Sequence, residues 1–167
     1  MIIKSNNPKF ILRPIRMSDA EKYFEMKQDK ETKKAFMTVP KNLSEVKKQI
    51  KEQINRNKRK VSEVFAIEIN KEYAGSIILE YQNWDRKSEE GRMHIQIHPK
   101  FRGRGLATKT MKTVLKYGFK KRNFKKIYIQ CKASNKAVIR VIEKCGFKKE
   151  KVHLIEGIKK ILWVKLK

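Results

Sequence analysis

The sequence predicts an α/β (α+β) fold: one mixed, twisted sheet of seven strands with helices on both faces, in the order β-α-α-β-β-β-α-β-α-β-β. Three observations carry this. Short runs that alternate apolar and polar residues are interleaved with segments whose apolar residues recur at helical spacing. A basic, glycine-punctuated turn, Pro99 to Thr108, joins an alternating strand to a long amphipathic stretch. No linker, repeat or low-complexity tract divides the 167 residues, and a 40% hydrophobic content at that length suits one domain spanning residues 1–167.

The elements follow in order. Phe10 to Ile15 reads as a strand, and Ser18-Asp-Ala-Glu21 as a capping box opening a helix that contains Phe24. Asn42-x-x-Glu45 opens a second, lysine-rich helix with Leu43, Val46, Ile50 and Ile54 inward. Val64 to Ile69 and Ala74 to Tyr81 form a hairpin about Asn70-Lys71-Glu72. Met93 to His98 alternates at period two, and Pro99 ends that strand by removing a ladder donor. Leu106, Ala107, Met111, Val114, Leu115 and Gly118 then mark a helix starting near Gly105. Lys126 to Cys131 is β-rich, Ser134-Asn135 is a cap, and Ala137, Val138, Val141, Ile142 and Cys145 form a helix closed by Gly146-Phe147. The two last strands complete the order.

The turn at Arg102 to Thr108 reads as a phosphate cradle. Glycines let bare N–H groups approach a ligand, and the positive end of the following helix favours an anion. A Walker loop nearly fits from Gly103 to Thr110, but Thr108 stands where its second glycine belongs, and the same residue breaks a dinucleotide G-x-G-x-x-G. The pattern R-x-x-G-x-A is met by Arg102, Gly105 and Ala107. It resembles the acetyl-coenzyme A pyrophosphate loop of the GNAT N-acetyltransferases. The segment Asn135 to Phe147, an Asn followed by a short helix ending in Gly-Phe, is similar to that family's second signature, and the opening strand and helix resemble its Rim-type branch.

The resemblance implies the GNAT fold, with a mostly antiparallel sheet, and acetyl-CoA as acetyl donor. It implies that N–H groups of Arg102, Gly103, Arg104, Gly105, Leu106, Ala107 and Thr108 hold the pyrophosphate, that the strand edge at Ile97 aligns the pantetheine, and that Asn135 contacts it from the opposite side. It implies transfer to a primary amine by direct attack in a ternary complex, with a protein or peptide N-terminus of the ribosomal-protein type as acceptor. Small-molecule amines, and a basic RNA- or ribosome-binding protein with a residual coenzyme site, stand as the alternatives. The chain departs from the family at Ile142, where many members carry the tyrosine that protonates the departing sulfur, and at Val138, where the Rim-type branch often has serine.

Acyl transfer to an amine needs a proton acceptor for the amine and a donor for the thiolate. His94 and Glu80 are candidate bases, and Ser134, Tyr128 and Tyr117 candidate acids, with water or unaided departure also open. Tyr81, Trp84 and Glu90 are candidate acceptor contacts, the rings for stacking and the carboxylate for an ammonium. His94 and His98 lie four residues apart along a strand, about 13 Å, so they share no metal ion and none is expected.

Lys plus Arg number 43 against 17 Asp plus Glu, a formal net charge of +26. Such a field concentrates polyanions and repels polyamines. Lys120 to Lys126, interleaved with Phe119 and Phe124, is the candidate RNA patch; lysines on nearly every helix fit general solvation instead. Cys131 and Cys145 read as two buried, reduced thiols. No apolar run is long enough to span a bilayer and no secretory leader opens the chain, so a cytoplasmic protein, monomer or homodimer, is expected.

Overall fold

A computed structural model describes residues 2–6, 9–36 and 38–167. Among these the strands are β1 (Ile3–Asn6), β2 (Lys9–Pro14), β3 (Ser62–Ile69), β4 (Glu72–Tyr81), β5 (Glu90–Ile97), β6 (Lys126–Lys132), β7 (Lys148–Ile155) and β8 (Ile158–Leu166). The helices are α1 (Ala20–Gln28), α2 (Lys30–Ala35), α3 (Leu43–Arg59), α4 (Leu106–Lys121) and α5 (Lys136–Lys144). The strands form one 8-stranded sheet ordered β1-β2-β3-β4-β5-β6-β8-β7. Every neighbouring pair is antiparallel except β5 and β6.

The sheet has eight strands where the sequence suggests seven. The extra one, β1, pairs Ile3 with Leu12 at the sheet's edge. Its other described residues are polar, so no alternation announces it. The six residues of α2 are likewise too few to show a stripe. One cap also differs. Ser18 lies in a 3-10 turn, Met17–Asp19, and it is Asp19 that accepts the Arg16 N–H at 2.8 Å while binding the buried Arg13 guanidinium at 2.7 and 2.9 Å. The Asn42 cap forms as read, its Oδ1 accepting the Glu45 N–H at 2.9 Å.

Two apolar layers clasp the sheet. On one face Phe65, Ile77, Leu79, Met93 and Ile127 pack with Met111 and Val114 of α4 and Ile142 of α5. On the other, Val64 and Ala66 meet Tyr23 and Met26 of α1 and Val46 and Ile50 of α3. Successive residues of β3 therefore enter opposite cores, which is why that strand reads as a continuous apolar run. The β3–β4 turn places Asn70 and Lys71 at φ 51° and 66°, both left-handed, as a two-residue hairpin of matching twist requires.

The functional geometry starts where β5 and β6 part. Their parallel ladder covers only Glu90 to Arg92 against Lys126 to Tyr128. Beyond it, β5 stays with β4 as far as Ile97 opposite Gly75, and β6 stays with β8 as far as Lys132 opposite Lys160. Gly75 has φ 146°, and a Cβ there would meet the Gln96 carbonyl at 2.3 Å, so β4 approaches the end of β5 more closely than any side chain permits.

Candidate functional site

The parting strands open a cavity of about 730 Å³. Ile95, Gln96 and Ile97 of β5 form one wall; Ser134, Asn135, Ala137, Val138 and Val141 form the other; residues Arg102, Gly103 and Gly105 to Thr108 form its end. Thr32, Ala35 and Phe36 close it from above.

The end wall is built by glycine geometry and a buried anchor. Pro99–Phe101 make a 3-10 turn whose Phe101 is 5% exposed, and Gly103 and Gly105 follow at φ 76° and 71°. Nothing lies within 4 Å of where a Cβ would stand on either glycine, so the space above them is open. The first backbone bond of α4 runs from the Lys109 N–H to the Gly105 carbonyl at 3.1 Å, and no side chain caps the helix. The N–H groups of Leu106, Ala107 and Thr108 thus precede the helical ladder at the positive end of a 16-residue helix. An anion with several oxygens suits that arrangement.

The side chain of Arg102 makes three hydrogen bonds. Its Nη1 donates to Asp29 Oδ2 at 2.8 Å, its Nη2 to Thr32 Oγ1 at 2.7 Å, and its Nε to the Ile97 carbonyl at 3.1 Å. The backbone of Arg102 belongs to the cradle while its guanidinium ties the cradle to α2. At the other end of α2, Lys132 Nζ donates to the Lys34 and Phe36 carbonyls at 2.7 and 3.0 Å. A six-residue helix therefore bridges the two lips of the cavity, fastened by one cation from each. Sequence reasoning missed this bridge; its one local signal is Asp29, whose carboxylate caps the Thr32 N–H at 2.9 Å. Arg104 is exposed beside the cradle. Asn135 lines the cavity, and its Oδ1 accepts the Val138 N–H at 3.2 Å as the N-cap of α5.

The remaining candidates divide between the two faces of the sheet. Ser134 is exposed and lines the cavity. His94 and Glu80 do not line it. They lie across the sheet with their side chains toward α3, His94 Nε2 being 3.4 Å from Glu80 Oε1. Burial acts to raise the Glu80 pKa, but His94, Trp84 and Arg56 together outweigh it and hold the carboxyl below its ordinary value. Trp84 donates to Glu80 at 3.3 Å, and its ring is stacked by the Arg56 guanidinium at 4.8 Å. Tyr81 is partly buried, its ring meeting Phe124 edge-on at 4.9 Å. Glu90 opens β5 and lies 3.4 Å from Lys126 Nζ. Tyr128 stands opposite Arg92 at the last paired position before the strands separate, and burial pushes its phenol upward, Glu90 and Glu150 adding to the effect. Tyr117 donates to Glu63 at 3.1 Å, away from the cavity lining. Ile142 is fully buried in the core.

The basic run Lys120 to Lys126 loses one of its aromatic partners, Phe124, to the core. Phe124 is 1% exposed, so its ring is not offered to a base, and Phe119 is partly buried against the same core. Cys131 and Cys145 are both free thiols, and no helix among the described residues is long and apolar enough to cross a membrane.

Comparison with known proteins agrees with this geometry. The family model described as acetyltransferase (GNAT) domain matches residues 9–148. A spermidine N(1)-acetyltransferase of Escherichia coli K12 is 33% identical over 87 residues, which are 52% of this chain and 45% of that protein. The match thus spans less than half the length of that curated relative. A Salmonella typhimurium acetyltransferase that modifies the N-terminal serine of a 50S ribosomal subunit protein superposes with a TM-score of 0.84 at 15% identity, covering 99% of both chains. RimL, a ribosomal L7/L12 α-N-protein acetyltransferase solved with coenzyme A, superposes with a TM-score of 0.81 at 15% identity over 94% of this chain and 93% of its own.

Proposed function

The chain belongs to the GNAT acetyltransferase family, and from that premise we propose that it uses acetyl-CoA to acetylate a primary amine, specifically the N-terminal amine of an acidic protein or peptide. The observation that carries the donor is the uncapped start of α4 beneath two open glycines, at the end of a cavity long enough for an extended arm. Bound there, acetyl-CoA supplies a thioester whose acetyl carbon forms the new C–N bond as the C–S bond breaks. The N–H groups from Gly103 to Thr108 hold its pyrophosphate, the edge of β5 at Ile97 aligns its arm, and Asn135 both caps α5 and presents its amide to that arm.

The acceptor comes from the α3 face, through the gap between β5 and β6. His94 takes the proton of the incoming ammonium, and Glu80, ionised at neutral pH, orients the ring. Ser134, on the cavity wall, returns a proton to the sulfur. Trp84 and Glu90 border the acceptor's path. The net charge of +26 favours an acidic acceptor and disfavours a polyamine, which is repelled before contact. The 33%-identical spermidine acetyltransferase supports the second reading, a small polyamine acceptor.

The test is a thiol-release assay with acidic N-terminal peptides, their N-blocked forms and spermidine, beside thermal shift with acetyl-CoA. Saturating acetyl-CoA raises the melting temperature, Gly105→Glu removes the rise, and kcat/KM is highest for unblocked acidic peptides. No shift in the wild-type protein refutes the donor, and a spermidine rate above the peptide rates refutes the acceptor.

A further inference from the structure

Between the apolar Ile95 and Ile97, Gln96 places a polar side chain on the β5 wall of the cavity. Its amide is anchored at one end: Nε2 donates at 2.7 Å to the Oγ of Ser76, the residue opposite it in the β4–β5 ladder. The other end has no anchor. Gln96 Oε1 is shielded from solvent and has no hydrogen-bond partner among the described residues. A buried carbonyl oxygen without a donor is unfavourable, and with Ser76 holding the nitrogen the amide cannot turn over to find one. The partner that satisfies it is a hydrogen-bond donor carried by a ligand.

Position selects the ligand group. His94 and Gln96 stand two residues apart on one face of β5, about 7 Å along the strand. His94 does not line the cavity, whereas Gln96 does. An amine that travels from His94 to a thioester in the cavity therefore passes the Gln96 amide.

We propose that Gln96 Oε1 holds the nitrogen of the substrate amine by an N–H bond during acetyl transfer, an inference that rests on the acetyltransferase reading above. A primary ammonium brings three hydrogens. His94 removes the first and frees the lone pair. The second leaves the nitrogen as the C–N bond forms, the C–S bond breaks and the departing thiolate is protonated. The third stays on the amide product, and this is the hydrogen that Gln96 holds. The nitrogen becomes positively charged as it attacks, so its bond to Oε1 is stronger in the transition state than in the neutral amine before it. The amide oxygen is itself uncharged, so it aims the lone pair without stabilising the ammonium as a carboxylate would. A hydroxyl nucleophile, whose single hydrogen goes to the base, keeps none for Gln96, and the site favours nitrogen over oxygen acceptors.

Steady-state thiol release with an unblocked acidic peptide, beside calorimetric binding of acetyl-CoA, tests the assignment on the full chain. Gln96→Met keeps the length and removes the oxygen. Its kcat/KM for the peptide falls at least tenfold, while its acetyl-CoA Kd and melting temperature stay within twofold and about 2 °C of wild type. Gln96→Glu leaves an oxygen at the same place, and its kcat/KM stays within threefold of wild type. A methionine variant that retains its rate overturns the role of Gln96, as does one that loses acetyl-CoA affinity in proportion to its rate, because the oxygen then serves the donor's arm. Equal losses in the methionine and glutamate variants overturn it too, since the shape of the amide then matters and not its oxygen. Failure of the wild-type protein to bind acetyl-CoA is a different result: it overturns the donor assignment and this inference with it.

Discussion

Lys27 is 6% exposed, with its Nζ 3.5 Å from the centre of the Phe36 ring and 5.4 Å from that of Tyr23. Burial pushes its pKa down from 10.5 to about 8. The displacement corresponds to roughly 3 kcal/mol of desolvation carried by the folded state at neutral pH, part of which the ring faces offset. Because the folded value lies below the unfolded one, the unfolded chain binds the additional proton between about pH 8 and 10.5, and stability rises with pH across that window. Lys27→Met removes the charge and keeps the length. It stabilises the protein by about 1–2 kcal/mol at pH 7, with the advantage complete below pH 8 and gone near pH 10.5. Urea titrations of both proteins at pH 7 and pH 10.5 measure this, and a methionine variant no more stable than wild type at pH 7 contradicts it.

The bridge over the cavity shows what an element needs when its sequence alone cannot sustain it. Six residues of α2 fall well below the length at which a helix persists in water. Its order comes from Asp29 and Arg102 at one end and Lys132 at the other, side chains up to 98 residues distant. Asp29→Ala deletes the cap and removes one of the three partners of the Arg102 side chain, costing about 1–2 kcal/mol locally. Amide exchange in residues 30–36 accelerates about tenfold while the interior of α4 is unchanged; unaltered exchange in that segment removes the bridge from the account. The same dependence explains what could be read in advance. The cradle and the Asn135 to Phe147 segment are legible because glycine, cap and apolar period lie within a few residues of one another. Neither β1 nor α2 is: β1 carries a single apolar residue, Ile3, and so shows no period although it pairs with the neighbouring β2, and α2 is fastened by partners far along the chain. The tether made by the Arg102 side chain is not legible for the same reason: its partners, Asp29 and Thr32, stand 73 and 70 residues upstream.

Charge acts on the molecule as a whole. With 17 carboxylate side chains against 43 cationic ones, pairing can neutralise only a minority of the cations, so repulsion outweighs attraction over most of the surface. Surface ion pairs contribute little individually and lose that little in salt. Unpaired cations gain when the screening length falls from about 30 Å at 10 mM to below 10 Å at physiological strength. The melting temperature of the ligand-free protein therefore rises with added NaCl between 10 and 300 mM, by on the order of 5 °C. Acetyl-CoA affinity moves the other way over the same range, because its phosphates are drawn by the field that strains the fold. One calorimetric titration in salt reads both quantities. Opposite slopes are expected; a melting temperature that falls with salt would mean that the 14 pairings of Lys, Arg or His with Asp or Glu among the described residues outweigh the unpaired remainder.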